Sequence, residues 1–311
     1  MTDGIPRLLH FGAEGAAYNA MWDYKWVELD GGRGYNFEMI EEGSEGYLVH
    51  NVFRYFAEDG EALAGLGDAS ICIDIGCGTG QYTVSLLRAG AKRVYAVDLT
   101  RGVDVGRSII ARKFPELLDR IVFVQANARF LPIKTGVADR TMALASIHHS
   151  GYLPECVEQV VRVTKPGKRF FVWIYAKPQI PMGDEYRANF LQFLALSARL
   201  LHYIYMELLF NILKRLPDRA RLPVLRAMAS DAVYRLRALP VLGRIVSFFT
   251  PGVTAHSDKG YRLINLYDAY APGFSQASDE ADVIRWSRRL GFRIVSFIPW
   301  RLGFVGEKPG A

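Results

Sequence analysis

The sequence is organised around the run Ile71-Cys72-Ile73-Asp74-Ile75-Gly76-Cys77-Gly78-Thr79-Gly80. Its first five residues have the character of a buried strand, and a helical pattern begins at Gln81. The three glycines between them stand at alternate positions. Glycine is needed where the backbone takes a positive φ or where a ligand lies against main-chain atoms. The run therefore predicts a strand, a glycine loop and a helix whose first N–H groups face a ligand.

The spacing of the glycines separates the classes of ligand. A phosphate-binding P-loop has Lys and then Ser or Thr after its last glycine, whereas Gln81 and Tyr82 follow here. A dinucleotide fingerprint reads G-x-G-x-x-G, whereas this loop reads G-x-G-x-G with Asp74 ahead of it. The pattern resembles motif I of class I S-adenosylmethionine (SAM)-dependent methyltransferases, small-molecule type, similar to the methyltransferase-11 and -25 groups. A plain turn between strand and helix is the alternative.

A second acid ends the next predicted strand, Val94 to Asp98. In an open parallel sheet the ligand lies over the carboxyl ends of the strands. Asp98 comes one βα unit after Asp74, and its carboxylate can accept hydrogen bonds from both hydroxyls of a ribose. By resemblance it is the ribose-binding acid of motif II, and a helix N-cap is the alternative.

A third segment, Gln125 to Pro132, is similar to the Gly-Asp-Ala-x-x-Leu-Pro segment of the family. Asn127 replaces the acid that contacts the adenine amino group, and its amide oxygen can still accept from that group. A simple turn is the alternative. The resemblance implies SAM as cofactor, S-adenosylhomocysteine as product, and these cofactor-binding residues: Asp74, Gly76, Cys77, Gly78, Gly80, Asp98, Leu99, Asn127, Ala128 and Ser146.

The run Ser146-Ile147-His148-His149-Ser150 follows the fourth predicted strand, where the family places the methyl group and the acceptor. Methyltransferases of nucleic-acid amino groups usually carry (Asn/Asp)-Pro-Pro-(Tyr/Phe) there, and this chain does not. A histidine near its usual pKa can remove a proton from an oxygen or nitrogen nucleophile. We therefore expect His149 or His148 to act as a base, with packing beneath the cofactor as the alternative.

The segment before the first core strand is rich in aromatic residues. Short helices are predicted at about 12–26 and 44–63. Tyr18 and Trp22 stand four residues apart on one helical face. They are therefore candidates for an acceptor-binding lid that shields the reaction from water. Packing of the segment against the core is the alternative.

An insert follows the fifth predicted strand, Arg169 to Tyr175. Residues 185–216 form a long apolar helical pattern that charged residues interrupt, so a membrane span is not predicted. Further helices are predicted at about 223–237 and 240–249, near Arg215, Arg219, Arg221, Arg226, Arg235, Arg237 and Arg244. Four roles are open: extension of the core, a subunit interface, contact with an anionic membrane, and an acceptor cover, which is favoured.

Residues 257–272 are polar and aromatic, and an irregular segment is predicted there. Tyr267 and Tyr270 are candidates for the acceptor pocket, and a surface turn fixed by Pro272 is the alternative. A helix capped at Ser278 then leads to two strands joined by Pro299-Trp300-Arg301, which must be antiparallel. Such an ending is typical of class I methyltransferases.

The predicted fold is α/β. It is a Rossmann-like seven-stranded mostly parallel sheet with an antiparallel C-terminal hairpin, an N-terminal helical lid and a helical insert after the fifth strand. The predicted domains are a lid (1–65), a SAM-binding core (66–178), the insert as an acceptor cover (179–260) and the completion of the core sheet (261–311).

Composition adds only weak constraints. A net charge of +6 over 311 residues permits an anionic partner without arguing for one. The start of the chain lacks a signal-peptide pattern, and three cysteines without C-x-x-C spacing favour reduced thiols. We therefore expect a cytoplasmic protein with no metal site and no nucleic-acid partner. Peripheral membrane contact stays open, and the oligomeric state is not predicted.

Together these patterns predict a SAM-dependent methyltransferase. It would transfer a methyl group to an O, N or C nucleophile of a small molecule with apolar parts, by in-line displacement at the sulfonium. The alternatives are a non-catalytic SAM-binding scaffold and a methyltransferase of nucleic acids or lipids.

Overall fold

The computed structural model describes residues 4–9, 19–35, 37, 70–177, 190–271, 275–298 and 302–310. The predicted helix at 44–63 and Tyr18 lie outside these ranges. The chain forms two compact units, one from Met1–Lys177 with Phe274–Ala311 and one from Pro178–Gly273. The second unit therefore extends past residue 260, where the sequence pattern predicts the end of the insert.

The first unit is built on one eight-stranded sheet. Its strands are β1 (Arg7–Leu8), β2 (Ile71–Ile75), β3 (Arg93–Asp98), β4 (Ile121–Ala126), β5 (Ala138–Leu144), β6 (Thr164–Ile174), β7 (Arg293–Ile298) and β8 (Leu302–Glu307), in the order β1-β4-β3-β2-β5-β6-β8-β7. The strands from β1 to β6 pair in parallel, and β8 is antiparallel to both β6 and β7. The predicted fold class is confirmed, with the short β1 as an additional edge strand.

Besides the α-helical residues 19–23, nine α-helices lie in the described part of the chain. They are α1 (Gln81–Arg88), α2 (Gly102–Lys113), α3 (Leu153–Val163), α4 (Phe190–Leu213), α5 (Asp218–Met228), α6 (Asp231–Arg237), α7 (Leu242–Phe249), α8 (Lys259–Tyr270) and α9 (Glu280–Leu290). A π-helix spans Tyr24–Asp30. None of the helices described is both long and apolar enough to cross a membrane.

Helices cover both faces of the sheet, which is why the central strand β2 is apolar at every position except Asp74. Cys72 of β2 packs with α1 and α2 on one face, and Ile73 packs with α3 and α9 on the other. The strand order reverses at β2, which has β3 on one side and β5 on the other. A crevice at the carboxyl ends of strands is expected at such a switch point.

All the regular secondary structure described in the second unit is helical, and two predictions about it are wrong. The helix predicted at 223–237 is two helices, because the Ser230 hydroxyl accepts from the Val233 N–H and caps α6. The segment predicted to be irregular, 257–272, contains α8. Asp258 caps it by accepting from the Gly260 and Tyr261 N–H groups.

One buried arginine links several segments of the second unit. The Arg262 side chain is fully buried, and it donates to the carbonyl oxygens of Ala229, His256 and Ser257. It also pairs with Asp231 at 2.5 Å. Since a buried guanidinium is costly unless its donors are satisfied, these bonds fix α8 against the start of α6.

Candidate functional site

The glycine loop lies at the carboxyl end of β2. The N–H groups of Gly76 and Cys77 both donate to the Val97 carbonyl, at 2.7 and 3.1 Å, which ties the loop to β3. Gly76 has φ +73°, and a Cβ there would lie 2.2 Å from the Ser146 Cβ. The Ser146 hydroxyl donates to the Ile75 carbonyl at 2.8 Å. Position 76 must therefore be glycine, because Ser146 approaches it so closely. The predicted site residues that follow β2 and β5 thus meet here.

Asp98 joins β3 to the same loop. The Gly78 N–H donates to one carboxylate oxygen at 2.8 Å, and the N–H and hydroxyl of Thr100 donate to the other at 2.9 and 2.7 Å. Burial raises the pKa of Asp98, and these hydrogen bonds and the nearby Lys25 ammonium oppose that rise. A carboxylate has about four acceptor positions, and three are occupied by the protein. One remains for a ligand while Thr100 stays in place.

Asp74 is buried within the site. It is 1% exposed, and the Thr83 hydroxyl of α1 donates to it at 2.7 Å. Burial raises its pKa to about 7, with a smaller contribution from the charge of Asp98, and the Thr83 bonds act in the opposite direction. Asp74 therefore titrates near neutral pH, where a cationic ligand would favour its ionised form.

The remaining loop residues complete the turn into α1. Gly80 has φ +92° and stands at the N-cap of α1. The Cys77 thiol is buried in the loop, and burial raises its pKa well above the ordinary range. The Thr79 hydroxyl is also buried, and it has no hydrogen-bond partner in the part of the chain described. Such an orphaned polar atom in a glycine loop marks a place where a ligand atom fits.

The π-helix covers the loop from the N-terminal side. The Trp26 ring lies over Gly78, where a Cβ would come within 2.8 Å of it. The Lys25 ammonium lies 5.1 Å from the Trp22 ring centroid and 4.1 Å from that of Trp26, and the residue is buried. Asp23 accepts from the Arg101 N–H at 2.6 Å. A cation between two indole rings is therefore held beside the buried Asp98.

His148 and His149 lie in a short 3-10 turn after β5, and both are buried. The His149 ring centroid is 4.0 Å from that of His148 and 5.0 Å from that of Trp22. His148 also contacts Tyr175, at 4.1 Å between ring centroids. The turn follows Ala145, a non-glycine residue at φ +49°. Strained backbone of this kind occurs often at functional sites.

The predicted adenine-binding segment is ordered by its own hydrogen bonds. The Asn127 amide oxygen accepts from the Arg129 N–H at 2.9 Å and caps a 3-10 turn that begins at Ala128. The Leu99 carbonyl accepts from the Gln125 side chain at 3.0 Å. The Asn127 oxygen thus makes a turn-forming hydrogen bond, and a turn is the alternative role that the sequence leaves open for this residue. Its role toward a ligand stays a prediction.

Tyr267 and Tyr270 lie in the second unit, where both are buried. The Tyr267 hydroxyl donates to Asp218 at 3.3 Å, and the Tyr270 hydroxyl donates to the Pro251 carbonyl at 3.0 Å. Burial raises the pKa of Tyr270 to about 12. Both hydroxyls thus have structural partners within that unit, and their acceptor-binding role stays a prediction.

Sequence patterns missed several residues that the structure brings to the crevice. Lys25 and Trp26 stand beside the predicted lid residue Trp22. They follow it by three and four residues, a helical spacing that would have placed all three side chains close together. Thr100 lies two residues after Asp98, a spacing at which a side chain often bonds the local backbone. The strained Ala145 carried no such sequence signal.

Comparison with known proteins agrees with this geometry. Residues 73–172 match the model of a methyltransferase domain. The chain is 22% identical over 175 residues to the ubiquinone/menaquinone biosynthesis C-methyltransferase UbiE of Brucella abortus, a match that covers 49% of this chain and 64% of that protein. It is 26% identical over 144 residues to the sterol 4-C-methyltransferase strm-1 of Caenorhabditis elegans, covering 45% of this chain and 41% of that protein.

Both matches leave a third or more of the relative's own length uncovered. Among solved structures, an O-methyltransferase family protein from Burkholderia thailandensis aligns with a TM-score of 0.43 and 15% identity, over 80% of this chain and 55% of that one. Residues 73–172, the core of the first unit, are therefore similar to a methyltransferase domain.

Proposed function

We propose that this protein binds SAM in the crevice above β2 and β3 and transfers its methyl group to a small molecule with apolar parts. The hydrogen bond from the Gly78 N–H to Asp98 carries this proposal. It joins a glycine loop to a buried acid at the switch point of a parallel sheet. A plain connecting turn has no need of a buried carboxylate at that place.

The residues present fit SAM by their chemistry. Asp74 and Asp98 are buried acids, and a ligand that carries an ammonium and a sulfonium would stabilise their ionised forms. Asp98 retains one acceptor position for a ribose hydroxyl, and the orphaned Thr79 hydroxyl is available to a further polar group. Gly76, Cys77 and Gly80 would hold the methionine end through the loop, and Leu99, Asn127, Ala128 and Ser146 would border the rest. SAM itself supplies the activated methyl group.

The protein's own contribution is to position the reactants and exclude water. Charge is dispersed during methyl transfer, so orientation is expected to matter more than any single charged group. Trp22 and Trp26 cover the crevice, and both are nearly buried. Since the Trp22 ring lies against His149, an acceptor would displace Trp22 to reach that imidazole. His149 would then accept a proton from the nucleophile, with His148 packed behind it.

The acceptor is inferred from the relatives and from the sequence. UbiE is named as a C-methyltransferase of ubiquinone/menaquinone biosynthesis, and strm-1 as a sterol 4-C-methyltransferase. Both names refer to chemistry on apolar molecules. The run from Ser146 to Ser150 lacks the Pro-Pro motif of nucleic-acid amino-methyltransferases. We therefore favour a small apolar acceptor methylated at carbon over an acceptor in a nucleic acid.

Calorimetric titration with SAM and with S-adenosylhomocysteine tests the proposal. We expect both to bind the wild-type protein, and Asp98→Ala to weaken both. Asp139→Ala is a matched control, because Asp139 is a partly exposed acid at the amino end of β5, whereas the crevice lies at the carboxyl ends of the strands. Failure of both compounds to bind would refute the proposal. Binding without formation of S-adenosylhomocysteine across a panel of quinone, sterol and prenyl acceptors would favour the scaffold alternative.

A further inference from the structure

The second unit exposes an unusual share of apolar side chains. Fifteen large apolar side chains are exposed in the described part of the chain, and eleven of them lie in this unit. Soluble proteins expose single apolar residues everywhere, but contiguous groups mark contact surfaces. Most of the large apolar side chains exposed in the described part of the chain therefore belong to the second unit.

They are contiguous in the connection between α6 and α7. All five residues of the run 238–242, Ala-Leu-Pro-Val-Leu, are exposed, and we call this run the apolar tip. Val241 is 75% exposed, the highest value among these large apolar residues, and Leu239 is 47% exposed. The apolar surface continues along α7 through Ile245 and Phe249.

The apolar tip is a closed and well-supported turn. The Gly243 N–H donates to the Leu239 carbonyl at 2.9 Å. A Cβ on Gly243 would lie 2.3 Å from the Arg237 carbonyl oxygen, so only glycine permits this approach of α6 and α7. The Arg237 side chain donates to the Thr250 carbonyl at 2.7 Å and ties the end of α6 to the end of α7. The exposed side chains are therefore held outward by defined backbone geometry.

A second apolar stripe adjoins α7. Leu201, Ile204, Leu208 and Ile212 of α4 are all exposed, and their spacing places them on one helical face. The Tyr205 hydroxyl of α4 donates to the Phe249 carbonyl at 2.9 Å, and the two rings meet at 5.8 Å between centroids. Because Phe249 is itself exposed, the stripes of α4 and α7 meet along this contact.

Positive charge is concentrated in the same stretch of the sequence. Residues 201–250 hold eight Lys and Arg against three Asp and Glu, a net charge of +5 out of +6 for the whole chain. Arg235 and Arg244 are exposed and flank the apolar tip on either side. Arginine stems can cover apolar surface while their guanidinium groups contact phosphate.

We propose that the apolar tip and the adjoining stripes dock on the surface of an anionic phospholipid bilayer. Apolar side chains would enter the boundary between headgroups and acyl chains, and the flanking arginines would contact lipid phosphates, as in interfacial helices. A second copy of this chain is the other occupant that an apolar tip would admit. In a symmetric dimer the arginines of the two copies would face one another, and that repulsion disfavours it. The inference stands independently of the proposed function.

Vesicle co-sedimentation with the full chain tests the proposal. We expect binding to vesicles of phosphatidylcholine mixed with phosphatidylglycerol, little binding to phosphatidylcholine alone, and release by salt. Val241→Glu should weaken binding by about tenfold, because it places a charge at the most exposed apolar position. Ile284→Glu is the matched control, since it makes the same change at an exposed apolar residue of the first unit. It should leave binding within about twofold, the scatter expected of a surface substitution.

The contribution of charge is tested separately. Arg235→Gln with Arg244→Gln should weaken binding to anionic vesicles by about tenfold, whereas Arg288→Gln with Arg289→Gln on α9 should leave it nearly unchanged. Equal binding to neutral vesicles, or equal loss in the Ile284→Glu control, would overturn the proposal. The proposal would also be overturned if the wild type failed to bind vesicles and instead formed a dimer in light scattering that Val241→Glu dissociates. That result would assign the surface to a second copy.

Discussion

The crevice of the first unit and the apolar tip of the second depart from the usual distribution of residues in opposite directions. In the crevice, charged groups are buried: Lys25, Asp74 and Asp98 are each less than a tenth exposed. At the tip, apolar groups face solvent, with Val241 three-quarters exposed. Burial of charge and exposure of contiguous apolar surface both cost free energy in the isolated protein. Each region therefore indicates the chemistry of a partner that would offset its cost.

The two regions also differ in how closely they define that partner. Hydrogen bonds with fixed partners surround the buried acids, so a ligand there must match in position as well as charge. The apolar tip offers shape and charge but no buried polar group. Such a surface suits an extended partner that adapts to it. The predictions that follow probe this contrast, from the largest expected effect to the smallest.

The largest expected effect is on turnover. His149→Ala should lower the rate of methyl transfer by about 1000-fold if His149 is the base, because general base catalysis contributes roughly 10²–10⁴-fold. SAM affinity should be retained, since the proposed cofactor residues are untouched. Single-turnover rates measured alongside calorimetry separate the two quantities. His256→Ala in the second unit is the control, and an unchanged rate in His149→Ala would remove the assignment.

The next effect concerns affinity. Asp98→Ala should weaken SAM binding by about 100-fold, because it removes a charged acceptor of the ribose hydroxyl, and a hydrogen bond to a charged group contributes roughly 1.5–3 kcal/mol. Binding to anionic vesicles should be unchanged, since the apolar tip belongs to the other unit. If Asp98→Ala impaired vesicle binding as strongly as SAM binding, the two regions would not be independent.

A smaller effect depends on pH. Asp74 has a pKa of about 7 in the folded protein against an ordinary value of 3.8, so its neutral form is favoured on folding. The contribution of Asp74 to stability therefore falls as pH rises from about 4 to about 7. Binding of a cation needs the ionised form, so SAM affinity should fall by up to about tenfold per pH unit below 7.

Calorimetry between pH 8 and pH 6 measures this dependence. Asp74→Asn, which cannot ionise, should bind more weakly but with a flat profile across the same range. A flat profile in the wild type would show that Asp74 does not contact the cationic end of the cofactor.

The smallest expected effect is on stability. Ala145 has φ +49°, where a Cβ costs roughly 1–2 kcal/mol. Ala145→Gly should therefore raise the free energy of unfolding by about 0.5 kcal/mol, after the entropic cost of glycine is subtracted. Ala143→Gly, at a buried position one residue before the end of β5, should lower it by a similar amount or more. Urea denaturation distinguishes the two, and destabilisation by Ala145→Gly would show that the strain is absent.

Local patterns were enough to predict the sheet and the glycine loop. The apolar run into Gly76, the acid at Asp98 and the final antiparallel pair each depend on residues close together in sequence. Their consequences for topology follow from general rules about parallel sheets. The meeting of Gly76 with Ser146 could be anticipated only because both stand at the carboxyl ends of neighbouring strands.

Contacts between distant segments could not be predicted in this way. Lys25 lies beside Asp98 because the π-helix packs over the loop, and nothing in the residues around Lys25 specifies that packing. Arg262 was overlooked because its partners come from two other helices and a loop. In α8 the aromatic and polar composition concealed a helix, although Asp258 was a visible N-cap signal.

The two residues of β1 have a practical consequence for anyone who shortens this chain. Arg7 and Leu8 pair with the outer edge of β4, and Arg7 is also bound to Asp104 of α2 at 2.7 Å. Removal of residues 1–9 would leave the main-chain groups of β4 open along that side, and unpaired edges of this kind promote self-association. Precipitation of a truncated protein would thus indicate that the edge of β4 has become exposed. It should not be taken as evidence about the crevice.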